Sequence, residues 1–116
     1  MNELLFACRF DDLVTVTFVC DDLITLSNGY TIAFFHDQDC CEHVWADTQN
    51  VKVGMVLANI EIKLVEGMGV LFNKVLINCY NEQNGYYSSD LSLSILDGNR
   101  DKVFDYDNVP VQDEIY

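Results

Sequence analysis

Leu23–Phe35, with the sequence LITLSNGYTIAFF, decides the fold of this chain. Two runs rich in β-branched and aromatic side chains, Leu23–Ser27 and Tyr30–Phe35, flank Asn28-Gly29. Asn-Gly between two such runs is the strongest short-range signal for a β-hairpin, because both residue types accept the positive φ angles of a tight turn. The stretch therefore predicts two antiparallel strands that meet at Asn28-Gly29.

The same short, β-like pattern recurs along the chain. It predicts further strands at Leu13–Val19, Glu42–Ala46, Ile60–Glu66, Val70–Tyr80 and Leu91–Leu96. Gly67 and Gly69 indicate a turn ahead of the Val70–Tyr80 strand, since glycine favours turns. Residues 1–8 fit either a strand or a helix.

One segment favours a helix. Asp47–Ala58 predicts a short one with Asp47 or Thr48 as its N-terminal cap, although Val51 and Gly54 are poor helix formers. The predicted fold class is therefore mainly β, with α+β as the alternative. We expect an antiparallel sheet with one or two short helices.

The composition indicates one folded domain in spite of a large excess of negative charge. The chain has 19 carboxylates and six basic side chains in 116 residues, which gives a formal net charge of -13. High charge with few apolar residues produces disorder, but half of these residues are apolar and 12% are aromatic. A chain of this length buries one core, so residues 1–116 are predicted to form a single compact domain with an acidic tail at about 105–116.

Several features favour the cytoplasm. No apolar run reaches the roughly 18 residues that a membrane-spanning helix needs, and Met1-Asn2-Glu3 lacks the basic start of a secretory signal. The five cysteines are odd in number and include the adjacent pair Cys40-Cys41, which is a poor framework for disulfides. We therefore expect a cytoplasmic protein with reduced thiols and no membrane partner.

The carboxylates concentrate in two places. One group flanks the predicted hairpin and would lie at its open end, and the other occupies a C-terminal segment without any base. The first consists of Asp21, Asp22, Asp37, Asp39 and Glu42, and the second of Asp105, Asp107, Asp113 and Glu114. Carboxylates on alternate residues of a strand are ~6 to 7 Å apart, close to the spacing of successive phosphates in a nucleic acid. A rigid acidic sheet could therefore imitate a nucleic-acid backbone.

Tyrosines lie among these acids. Tyr86, Tyr87 and Tyr106 have acidic neighbours, and tyrosine beside charge is typical of the residues that dominate protein interfaces. We predict that they belong to the same partner-binding surface. Two ordinary interpretations stay open: the tyrosines are simple strand-face residues, and the acidic surface serves only solubility.

The sequence does not indicate an enzyme or a metalloprotein. His36–His43, with the sequence HDQDCCEH, contains two histidines and two cysteines, but zinc sites need ligand pairs from two separate pieces of chain. The neighbouring carboxylates disfavour the thiolate that a cysteine nucleophile requires. We therefore expect no catalytic residues, no metal and no cofactor. The six basic residues are dispersed, which argues against direct nucleic-acid binding.

Two motifs carry a resemblance to a known family. Gln38-Asp39-Cys40-Cys41-Glu42 and Asn84-Gly85-Tyr86-Tyr87-Ser88, each followed by an alternating strand, resemble a family of small proteins encoded by bacteriophages and prophages. The resemblance covers about residues 29–96 and departs from the family at Val75–Tyr80, where the family has a basic strand that contains tryptophan. It implies a phage origin and a compact β-rich fold, and no established activity.

As a small and strongly acidic protein of phage origin, the chain resembles the acidic anti-CRISPR proteins. These proteins block host nucleases by occupying their basic grooves. The leading hypothesis is a DNA mimic that prevents target-DNA recognition by a guide-loaded CRISPR nuclease in the bacterial cell. Two alternatives stay open. A binder of a defence signalling nucleotide would need Arg or Lys in a pocket, and a structural phage protein would form a stable homo-oligomer.

Overall fold

The structure, a computed structural model, describes residues 2–36, 42–83 and 91–115. These residues contain ten strands and no helix. The strands are β1 (Asn2–Cys20), β2 (Leu23–Leu26), β3 (Thr31–Phe35), β4 (Glu42–Asp47), β5 (Val56–Val65), β6 (Gly69–Phe72), β7 (Val75–Gln83), β8 (Ser92–Leu96), β9 (Lys102–Tyr106) and β10 (Gln112–Ile115). The prediction of a mainly β, antiparallel fold is confirmed, whereas the predicted helices are not found in the described part of the chain.

The long strand β1 joins two halves of a continuous sheet. Its first part, up to Thr15, pairs with β5, and from Val16 onward it pairs with β2. The spatial order is β10-β7-β6-β5-β1-β2-β3-β8-β9, and β4 pairs with β7 as well. All of these pairings are antiparallel except that of β10 with β7, which is parallel. The strand β1 is therefore the link between the β10-β7-β6-β5 half and the β2-β3-β8-β9 half of the sheet.

The two halves of the sheet bury a common core. Side chains in β2, β3 and β8 alternate between buried and partly exposed, as expected for strands with one face toward the core. Phe6 of β1 contacts Phe104 of β9 with ring centroids 5.2 Å apart, although these strands are remote in the strand order. The sheet is therefore strongly curled around this core. Burial of each large aliphatic side chain in the core stabilises the folded state by about 1.5 to 3 kcal/mol.

The predicted hairpin is present and holds β2 against β3. Ile24 pairs with Ile32, and both side chains are completely buried. At the turn, the Gly29 amide donates to the Leu26 carbonyl at 2.9 Å, and Gly29 has a φ of 92°. A Cβ atom at this glycine would lie 2.9 Å from Gly98 Cα, so the hairpin turn packs directly against the turn between β8 and β9.

The helix predicted at Asp47–Ala58 is wrong, because this segment begins in β4, ends in β5 and forms turns between the two strands. Gly54 has a φ of 96°, which a helix does not allow, and its amide donates to the Val16 carbonyl at 2.8 Å. The Thr48 hydroxyl, which was expected to cap the helix, donates to the Cys20 carbonyl at 2.6 Å instead. The segment therefore connects β4 to β5 while lying against β1.

The single strand predicted at Val70–Tyr80 is also wrong, since a tight turn divides it into β6 and β7. Asn73 lies at this turn with a φ of 55°, a left-handed conformation that asparagine tolerates. Its side chain accepts a hydrogen bond from the Glu61 amide and donates one to the Asn59 carbonyl, each at 2.9 Å. The side chain of Asn73 thereby fixes the β6–β7 turn to β5.

Candidate protein-interaction surface

The first part of the surface is the turn between β1 and β2, formed by Asp21 and Asp22. The Phe34 amide donates to the Asp22 carbonyl at 2.9 Å, so this turn lies beside the end of β3, at the open end of the hairpin. The Cys20 thiol donates to the Asp22 carboxylate at 3.3 Å. Both aspartates are exposed. The pair therefore lies at the open end of the hairpin, as the sequence predicts.

The second part is a ladder of serine and aspartate side chains between β8 and β9. The Ser94 hydroxyl donates to the Asp105 carboxylate at 2.9 Å, and the Ser92 hydroxyl donates to the Asp107 carboxylate at 2.8 Å. Both carboxylates are exposed; Asp105 lies in β9, and Asp107 lies at the bend directly after this strand. The two are alternate residues of the chain, and alternate residues of a strand repeat at ~6 to 7 Å.

Phe35 of β3 connects the two parts. It pairs with Ser92, whose hydroxyl holds Asp107, and its side chain is 66% exposed. Because paired residues point to the same side of a sheet, Phe35 and the Asp107 carboxylate share one face at about two strand spacings, or ~10 Å. The Asp21-Asp22 turn borders this face, since it lies beside Phe34, the buried neighbour of Phe35. We call the surface and its border, made of Asp21, Asp22, Phe35, Asp105 and Asp107, the acidic face.

Few positive charges neutralise the acidic face. Among the described residues, the ion pairs are Lys63 with Glu61 at 3.2 Å and Lys102 with Asp105 at 3.6 Å. Both pairs are partly exposed, and such pairs contribute at most about 1 kcal/mol. No described basic side chain forms an ion pair with Asp21, Asp22 or Asp107. The field of this surface therefore extends into the solvent over about 8 Å, the screening length at physiological salt.

The remaining predicted site residues have different positions. Tyr106 pairs with the buried Leu93 and packs against the core, so it does not share the face of Asp105 and Asp107. Glu42 lies in β4, and Asp113 and Glu114 lie in β10, both of which pair with β7. Asp37, Asp39, Tyr86 and Tyr87 lie outside the described residues. The acids of the C-terminal segment are thus divided between strands at opposite ends of the strand order.

The sequence prediction did not include Phe35 of the acidic face or the two serines, Ser92 and Ser94, that bind its aspartates. Phe35 was assigned to a strand without a role, although Phe34-Phe35 is an adjacent apolar pair, of which a strand can bury only one side chain on a given face. Ser92 and Ser94 alternate with buried leucine and isoleucine, which signals an outward-facing polar row. The sequence does not indicate which aspartates these serines bind, because the partner strand β9 was not predicted.

The described cysteines do not form a reactive centre. Burial, together with the nearby carboxylate of Asp47, raises the pKa of Cys79 to about 12, so its thiol stays protonated. Cys8 lies 3.8 Å from the Tyr30 hydroxyl, and this hydrogen bond is the main cause of the raised pKa of Tyr30. No three described His, Cys, Asp or Glu side chains are placed to hold a metal ion.

Comparison with known proteins adds no relative. The chain matches no protein-family model, no curated protein and no solved structure. In the part of the chain that the structure describes, no helix is long and apolar enough for a membrane span. The function is therefore argued from the surface itself.

Proposed function

We propose that this chain is a phage-encoded acidic inhibitor of the anti-CRISPR kind. It mimics DNA and blocks target-DNA recognition by a guide-loaded CRISPR nuclease in the cytoplasm of the bacterial host. The observation that carries the proposal is the pair of exposed carboxylates at Asp105 and Asp107, each held by a serine hydroxyl of the neighbouring strand.

The spacing and order of these carboxylates suit the imitation of a phosphate backbone. Alternate residues of a strand repeat at ~6 to 7 Å, which is about the repeat of successive phosphates. The hydrogen bonds from Ser92 and Ser94 fix the carboxylates before binding, so that less side-chain entropy is lost in the complex. A groove that holds DNA offers Arg and Lys to phosphates, and it would bind these carboxylates in the same way.

Phe35 gives the acidic face an apolar anchor. Its side chain is 66% exposed and lies between the carboxylates of the β1–β2 turn and those held by the serine ladder. Aromatic residues surrounded by polar groups are typical centres of protein interfaces, whereas a nucleic-acid ligand would need basic neighbours. The surface therefore suits a basic protein as its partner.

A structural phage protein is the second candidate, and one observation favours it. Leu13 and Val56 expose 70% and 59% of their side chains. Val56 pairs with Thr15, two residues from Leu13, so the two apolar side chains lie close together on β1 and β5. A second copy of the chain could cover them. Light scattering separates the candidates, since a stable homo-oligomer that captures no host protein would favour the structural role.

The proposed function is tested by duplex competition. Guide-loaded single-effector CRISPR nucleases are incubated with the protein, and their binding of labelled target duplex is then measured by fluorescence anisotropy at low ionic strength. We expect duplex binding by the target nuclease to fall to background at a stoichiometric amount of the protein. Unchanged duplex binding by every nuclease would reject the proposal.

A further inference from the structure

A cavity of about 520 Å³ opens beside the acidic face at the end of the hairpin. One part of its lining is the β1–β2 turn with Asp21 and Asp22, and another part is β4 with Trp45. Phe34 and Phe35, at the end of β3, also line the cavity. The cavity therefore combines aromatic surface with carboxylates at its rim.

The backbone of this cavity is well anchored. The Thr48 hydroxyl, which follows β4, donates to the Cys20 carbonyl at 2.6 Å, and this bond ties the Trp45 wall to the turn with the aspartates. Trp45 also contacts Tyr80 of β7 with ring centroids 5.0 Å apart and an interplanar angle of 31°. The positions of the β1–β2 turn and of β4 around the cavity are thus fixed by contacts within the protein.

We propose that this cavity binds an arginine side chain of the partner protein. The assignment deepens the proposed function, on which it rests, because a groove that holds nucleic acid is rich in arginine. A guanidinium group is planar, stacks on aromatic rings and donates paired hydrogen bonds to carboxylates. The aromatic residues in its lining are Phe34, Phe35 and Trp45, and the carboxylates are those of Asp21 and Asp22.

Arginine fits this cavity better than lysine for two physical reasons. The guanidinium is more weakly hydrated than an ammonium, so its transfer from water to an aromatic wall is less costly. Its five N–H donors can also reach two adjacent carboxylates at once, whereas an ammonium acts as a point charge. Discrimination between the two side chains is therefore part of the proposal.

The experiment uses capped Gly-Arg-Gly, Gly-Lys-Gly and Gly-citrulline-Gly tripeptides as probes. Trp45 is the only tryptophan, so its fluorescence and its indole N–H resonance are assigned to this lining residue without ambiguity. We expect the arginine peptide to shift both signals in a saturable way. The lysine peptide should bind several-fold more weakly, and the citrulline peptide, which has the same shape without charge, should not bind.

Matched variants locate the binding. Asp21→Asn/Asp22→Asn should weaken the arginine peptide by at least about tenfold, because each carboxylate makes a hydrogen bond to a charged group. Asp11→Asn/Asp12→Asn also removes two exposed carboxylate charges, but on β1 rather than at the cavity. This variant should keep the affinity for the arginine peptide within about twofold of the wild-type value. Near-UV circular dichroism checks that both variants are folded.

Three outcomes overturn the assignment: no response of Trp45 to the arginine peptide, an equal response to citrulline, or equal losses in the two double variants. These outcomes do not decide the proposed function, since duplex competition by the wild-type protein is measured separately. If competition persists while the peptide fails to bind, the cavity assignment alone is rejected.

Discussion

The Ser92 hydroxyl donates a 2.8 Å hydrogen bond to the Asp107 carboxylate across the β8–β9 pair. Ser94 and Asp105 repeat the arrangement at 2.9 Å, so two carboxylates on one exposed edge of the sheet have fixed positions. Mobile surface aspartates would offer the same charge without this geometry. The distinction between charge and geometry can be tested.

Removal of both serine hydroxyls keeps the charges of Asp105 and Asp107 but removes the hydrogen bonds that fix their positions. For Ser92→Ala/Ser94→Ala we expect the affinity for the target nuclease to fall about threefold to tenfold, because the carboxylates lose their order before binding. The free energy of unfolding should change by less than about 1 kcal/mol, since these hydrogen bonds are exposed. Competition titration and urea unfolding measure the two effects. Unchanged affinity would show that charge alone suffices.

Ionic strength should act mainly on the rate of association. An acidic face with few ion pairs steers a basic partner over distances that salt screens. We expect the association rate constant to fall steeply with added salt, and the dissociation rate constant to change little. Surface plasmon resonance at several salt concentrations measures both. A rate of association that does not depend on salt would contradict electrostatic recognition.

Gly69 is predicted to be indispensable for the fold. A Cβ atom there would overlap the Ile77 carbonyl oxygen and lie 2.9 Å from the Cys79 amide nitrogen, and both are backbone atoms of β7. Gly69→Ala should therefore lower the free energy of unfolding by about 2 kcal/mol or more, as overpacking of a core does. Gly67→Ala is the matched control, since its Cβ would have open space and only its φ of 74° costs about 1 kcal/mol. Equal losses in urea unfolding would refute this account.

Cys79 should make the protein sensitive to alkali. Its pKa is raised from 9.0 to about 12 by burial, so between these values the unfolded state releases a proton that the folded state keeps. Stability is therefore complete below about pH 9 and falls as the pH rises toward 12, by up to roughly 4 kcal/mol for a shift of this size. Cys79→Ala should be less stable at neutral pH but lose less stability above pH 9. Parallel alkaline losses in urea titrations of the two proteins would exclude this role for the thiol.

The parts of the fold that sequence predicted correctly are those with a strong local signal. Asn28-Gly29 identified the β2–β3 hairpin, and the alternation of Leu91–Leu96 identified β8, because buried and exposed positions alternate there. The strand β9 was missed since its sequence, KVFDY, is short and charged. In the structure it pairs with β8, and its Phe104 packs on Phe6, a residue far away in the sequence.

The candidate surface could be predicted only in outline. The exposed position of Asp21-Asp22 at the open end of the hairpin followed from the hairpin itself. The neighbourhood of Asp105, Asp107 and Phe35 did not, because it depends on the pairing of β3 with β8 and of β8 with β9. Pairings between separate strands are set by the shape of the whole core and leave no local pattern in the sequence.

The most direct test of the acidic face compares two double variants of equal charge in duplex competition. Asp105→Asn/Asp107→Asn and Asp11→Asn/Asp12→Asn each remove two exposed carboxylates, one pair within the acidic face and one pair outside it. We predict that the Asp105/Asp107 variant needs at least about tenfold more protein to displace target duplex from the guide-loaded nuclease, since hydrogen bonds to charged groups are lost. The Asp11/Asp12 variant should act like the wild-type protein. Equal potency of the two variants would contradict the acidic face as the DNA-mimicking surface.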